Sequence, residues 1–145
     1  MMSGTIHVKG NTSQSAGATA HGGTIIIDGD ASSRCGISMK GVDIIVKGSV
    51  GHMSAFMAQA GTLMICGDAG DALGDSIYET VIYLAGKPKS LGVDCIEKKI
   101  TKNDLKKIEN LIKIGNVKKL KPHNFKKFGS ARKLYNFNID NVSEY

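Results

Sequence analysis

Most signatures of catalytic or membrane chemistry are missing from this chain. No apolar run approaches the length of a bilayer span, so no transmembrane helix is expected. The opening residues MMSGTIHV lack a charged segment followed by an apolar one, and no secretory signal is expected. Cysteine is scarce and odd in number: Cys35, Cys66 and Cys95 form no C-x-x-C pair. That argues against a disulfide framework and against a zinc or iron–sulfur site, and makes the cytoplasm the expected compartment. The glycines match neither a P-loop nor a dinucleotide fingerprint, which needs a helix after its glycines. No G-x-S-x-G elbow exists. His7, His21, His52 and His123 are scattered, with no paired-ligand spacing. Asp28, Asp30, Asp68, Asp71 and Asp75 read as a solvated acidic edge, because the G-G-x-G-x-D repeat of a calcium β-roll is absent. No catalytic, cofactor-binding or metal-binding residue is therefore assigned.

What the chain has is glycine, 18 residues of it, and much of it is periodic. Gly10, Gly29, Gly48, Gly67 and Gly86 follow one another at intervals of 19 residues, each closing an apolar run: IHVKG, IIIDG, IIVKG, LMICG, IYLAG. A second column stands seven residues later at Gly17, Gly36 and Gly74, with Ala55 in the remaining place. The runs are rich in Ile and Val and alternate at period 2, as strands do. A short fixed period of strand and glycine turn describes a solenoid, each repeat forming one coil of a parallel β-helix. The fold class is therefore all-β, with about five coils over residues 5–88 followed by a C-terminal helix and an extended tail. Glycine at the corners is expected to supply φ > 0 and close approach between coils.

Alternation assigns the faces. Ile25, Ile44, Leu63 and Ile82, with Ile27, Val46, Ile65 and Leu84, point inward and stack. Between them stand Ile26, Ile45, Met64 and Tyr83, an outward stripe too apolar to leave bare. It is expected to be covered by the chain's own tail or by another protein, and is the candidate interface. The first coil presents an unpaired edge that invites further pairing, including with a second copy.

Charge divides the chain near Cys95. Residues 1–95 hold 6 basic and 8 acidic side chains, a net −2; residues 96–145 hold 13 and 5, a net +8. A β-helix domain over 1–95 and a basic appendage over 96–145 follow. Pro88 removes a ladder donor and KSLGVDCIEKK leaves the columns, so the solenoid is expected to stop after Gly86. Thr101 and Asp104 suit a capping box, and Leu105, Ile108, Leu111 and Ile112 form a helical stripe, predicting a helix over about 102–114 with Gly115 as its C′ residue. This helix is expected to lie across the outward stripe. Residues 116–128 read as a basic loop, and Leu134–Ile139 as an extended docking arm. Aromatics are sparse in the basic segment until Phe125 and Phe128, so nucleic acid is disfavoured as a partner.

The 19-residue coil, clearest in GDASSRCGISMKG and GDAGDALGDSIYE, resembles the carboxyl-terminal β-helix (GXGXG) domain of the glutamate synthase large subunit. FKKFGSARKLYNFNIDN is similar to free-standing members, including the small subunit of N-methylglutamate synthase (methylamine–glutamate N-methyltransferase) type. The resemblance implies a right-handed β-helix with no active site of its own. It implies a subunit of an oxidoreductase complex in nitrogen metabolism, packed against a flavin-binding synthase subunit and a glutamine amidotransferase-like subunit. FMN and an iron–sulfur cluster are then expected in those partners and not in this chain. The alternatives are a scaffold like the β-helix subunit of formylmethanofuran dehydrogenase, or a self-assembling β-helix binding module.

Overall fold

The computed structural model of the chain describes residues 3–132. Strands β1 (Thr5–Val8), β2 (Thr24–Ile27), β3 (Lys40–Val46), β4 (Ala60–Ile65) and β5 (Val81–Leu84) pair in parallel in sequence order. Their register keeps each aliphatic column in line: Ile6, Ile25, Ile44, Leu63 and Ile82 are successive partners. A second ladder runs through Thr12, Ala31, Val50, Ala69 and Pro88, so the coils stack on more than one side. The five strands bound four complete turns, one fewer than the five coils expected. Pairing goes on past Gly86, through Pro88 and then Leu91, which bridges Leu73.

The closing end is built differently. Strand β6 (Cys95–Lys98) does not pair with β5. Strand β7 (Lys126–Ser130) enters between them, antiparallel to both. The basic loop expected over 116–128 thus contains a 3-10 turn, Pro122–Asn124, and the start of this strand. Helix α1 (Lys102–Gly115) connects β6 to that segment. Thr101 caps it: its hydroxyl accepts from the Asp104 N–H while Asp104 accepts from the Thr101 N–H, the reciprocal pair of a capping box. The left-handed terminal residue is Asn116, at φ 55°, one position beyond the expected Gly115.

Two apolar clusters result. The interior one stacks the inward columns with Met39, Leu73 and Ile77, and is closed at the β7 end by Phe128 and Cys95. The other lies outside the sheet and joins Ile26, Ile45, Met64 and Tyr83 to Ile108, Leu111 and Phe125. The arm expected at Leu134–Ile139 lies outside the described residues.

Candidate functional site

The outward stripe is roofed by the chain itself. Ile45 and Met64 are wholly buried, Ile26 and Tyr83 nearly so, under α1 and Phe125. The face of α1 that meets them is Asp104–Ile108–Leu111–Gly115, spaced i, i+4, i+7, i+11, which places all four on one side of a helix. It differs from the expected stripe at its first residue, while Ile112 of that stripe is half-buried and packs beside the same cluster. Leu105 is turned outward and 38% exposed, while Asp104 is buried. Gly115 serves as a point of close approach: a Cβ there would come within 2.9 Å of Ile45 Cγ2.

A polar clamp completes the contact. Tyr83 donates its hydroxyl to Asp104 Oδ1 at 2.6 Å, and Lys127 Nζ donates to Oδ2 at 3.0 Å, joining β5, α1 and β7 at one carboxylate. Burial alone would raise the Asp104 pKa; the hydrogen bonds from Tyr83, Thr101 and Lys127 outweigh it and hold the group at about 2. The Tyr83 phenol is pushed the other way, by burial and by its anionic acceptor. Lys107 adds a 2.9 Å ion pair to Asp43 of β3. The four stripe residues thus form an interface internal to the chain.

The glycine columns do two different jobs. The left-handed conformation expected at every corner occurs in the second column, at Gly17, Gly36 and Gly74 and also at Ala55, with φ between 60° and 73°. The first column, Gly10, Gly29, Gly48, Gly67 and Gly86, does not adopt it. There glycine is needed for contact between coils. A Cβ on Gly48 would stand 2.7 Å from the Gly29 carbonyl oxygen, and one on Gly67 2.8 Å from the Gly48 carbonyl carbon. Gly29 and Gly86 are hemmed in by Gly10 and Gly67 in the same way, whereas Gly10, on the first coil, has open space.

The residues after these glycines form a ladder that includes Asp30 and Asp68 of the expected acidic edge, both exposed. Asn11 Oδ1 accepts from the Asp30 N–H at 2.7 Å, and Asp30 from the Ser49 N–H at 2.8 Å. Ser49 Oγ accepts from the Asp68 N–H and Asp68 from the Lys87 N–H, both at 2.9 Å. Each coil thereby satisfies a backbone donor of the next. The signal was available: Asn, Asp, Ser and Asp stand directly after successive glycines, and all are good local acceptors.

The remaining candidates are dispersed. His7 Nε2 lies 2.8 Å from Asp28 Oδ1, and Lys47 is 3.1 Å from the same oxygen; these two contacts lower the Asp28 pKa. Asp71 accepts from Ser90 and Asp75 from Ser76. Burial pushes the Cys35 thiol up to about 12 and the Cys66 and Cys95 thiols up to about 11, as expected of packed cysteines. Among the described residues no three His, Cys, Asp or Glu side chains meet as a metal-binding group, and no helix is long and apolar enough to cross a membrane.

Comparison with known proteins fits this architecture. Residues 2–140 match the family model described as the GXGXG motif. Protein GlxC of Rhizobium meliloti (strain 1021) is 58% identical over 96 residues, which is 66% of this chain and 42% of that protein. The chain therefore spans less than half the length of this curated relative. No solved structure matches. The repeat, the coil geometry and the family match agree: the chain belongs to the GXGXG motif family, that of the glutamate synthase carboxyl-terminal domain.

Proposed function

We propose that the chain is a non-catalytic scaffold subunit of a glutamate-synthase-like flavoprotein complex that forms glutamate or N-methylglutamate in cytoplasmic nitrogen metabolism. Its partners are a flavin-binding synthase subunit and a glutamine amidotransferase-like subunit, which hold the FMN and the iron–sulfur cluster. The observation that carries this reading is the use made of the chain's polar residues within a fold of that family. Asn11, Asp30, Ser49 and Asp68 are taken up in the coil ladder, and Asp104, Lys127 and Tyr83 in the clamp under α1. These side chains are thus committed to holding coils and helix together. A rigid rod with an ordered appendage suits a part that holds other domains in fixed relation.

Affinity purification of the tagged full chain from its native host tests the proposal. Recovery of a flavin-binding chain together with an amidotransferase-like chain is expected. Recovery of the chain alone would overturn it. The isolated chain should show no flavin absorbance after gel filtration.

A further inference from the structure

The buried line of α1 has a counterpart on its other side. Lys102, Lys106, Glu109 and Lys113 repeat the i, i+4, i+7, i+11 spacing two residues out of phase, which puts them opposite the face packed on the sheet. All four are exposed. The segment after the helix adds Lys118, Lys119 and Lys121, also exposed. None of these six lysines has a carboxylate within ion-pair distance among the described residues, while Lys107 and Lys127, on the packed side, each have one. Among the described residues, the lysines that hold α1 down are thus paired and the outward ones have no carboxylate partner.

We infer that this outward face of α1 and the segment after it is the docking surface for a carboxylate-rich surface of a partner protein in the complex. The inference rests on the function proposed above and names the surface involved. Charge complementarity identifies the partner's chemistry: six lysines against one glutamate attract an anionic surface and steer its approach. The frame is already rigid, because the capping box, the Asp104 clamp and the Lys107–Asp43 pair fix α1 on the sheet, so little ordering is left to oppose binding. Leu105, Pro122 and His123 line a groove of about 340 Å³ beside Lys106, which offers an apolar contact next to the charges.

Two other anionic partners fit less well. A basic amphipathic helix binds a membrane by inserting its apolar face, and that face of α1 is buried against Ile45 and Met64. Nucleic-acid surfaces use stacking aromatics and arginine forks. Phe125 and Phe128 are both buried, and Arg132 is committed to Asp94 and the Tyr78 ring.

The test compares the wild-type full chain with K102E/K106E/K113E, each tagged and expressed in the native host. These side chains touch neither apolar cluster, and an unchanged melting temperature checks that the variant is folded. Flavoprotein co-recovered with the variant should fall about tenfold or more. Carbodiimide coupling, which joins amines to carboxylates at contact distance, should link these lysines to Asp or Glu of a partner in the wild-type complex. Equal recovery of flavoprotein by a folded variant overturns this inference and leaves the scaffold reading standing. Failure of the wild type to recover any flavoprotein overturns both. Binding of a 20-base-pair DNA duplex at physiological salt, lost in the variant, would reassign the face to nucleic acid and overturn the inference.

Discussion

Asp104 accepts hydrogen bonds from Tyr83, Thr101 and Lys127 while almost fully buried, so its ionised form is part of the fold. Its pKa is about 2 in the folded chain against an ordinary 3.8. A carboxylate with a depressed folded pKa contributes stability above its unfolded value and loses it as protons bind. The contribution, on the order of 2 kcal/mol, should be complete above about pH 5 and mostly lost by about pH 2. Asp104→Asn should remove that part of the acid dependence in denaturant melts taken between pH 2 and pH 5. A second contrast at this scale separates the roles of glycine. Gly48→Ala places a methyl against the Gly29 backbone and should cost about 1–3 kcal/mol. Gly10→Ala meets open space and should cost much less. Equal costs in chemical denaturation would mean that close approach between coils is not what the first column protects.

The helix owes its order to what it covers. A 14-residue segment is marginal alone in water, and α1 gains its stability by burying Ile108 and Leu111 on the outward stripe. Leu111→Ala should therefore cost about 2–5 kcal/mol. Leu105→Ala, at an outward position, should cost well under 1 kcal/mol, measured by the same urea melts. Much of this was legible beforehand. The five glycine-terminated runs fixed the strands, period 2 sorted Ile44 inward and Ile45 outward, and the Thr101/Asp104 pair marked the start of α1. What stayed hidden has no local signature. The left-handed residues beside the second glycine column are Ser15, Arg34, Met53 and Ala72 on one side and Thr19, Ser38, Met57 and Ser76 on the other. Contacts between coils impose those conformations, and residue type does not announce them. Strand β7 was missed because KKFGS offers one inward aromatic and no alternation; its order comes from pairing with β5 and β6, remote in sequence. Leu105 was assigned to the packed stripe because it is apolar, but the Tyr83 hydroxyl and the Lys127 ammonium make Asp104 the better fit there.

At the scale of the whole molecule, the composition break at Cys95 separates two kinds of sequence that share one sheet. Phe128 of the appendage plugs the interior cluster, and α1 roofs the exterior one. Insertion of β7 also gives the last parallel strand an antiparallel neighbour, which blocks the pairing that another coil would use. Among the described residues no strand closes the first coil in this way, and its inward Ile6 is 48% exposed where its counterparts are buried. A rod closed at one end, with its apolar stripe already covered, leaves charge as the main feature of α1's outward surface. The packing of α1 over the stripe is what joins the appendage to the solenoid's outer face. Native-state amide hydrogen exchange of the unmodified full chain measures it directly. The prediction is that the amides of the later turns of α1, through Gly115, are protected to a degree approaching those of β3 and β4. Exchange in α1 at the rate of an isolated helix, with β3 and β4 fully protected, would show that the stripe of Ile26, Ile45, Met64 and Tyr83 is open in solution and would contradict the account.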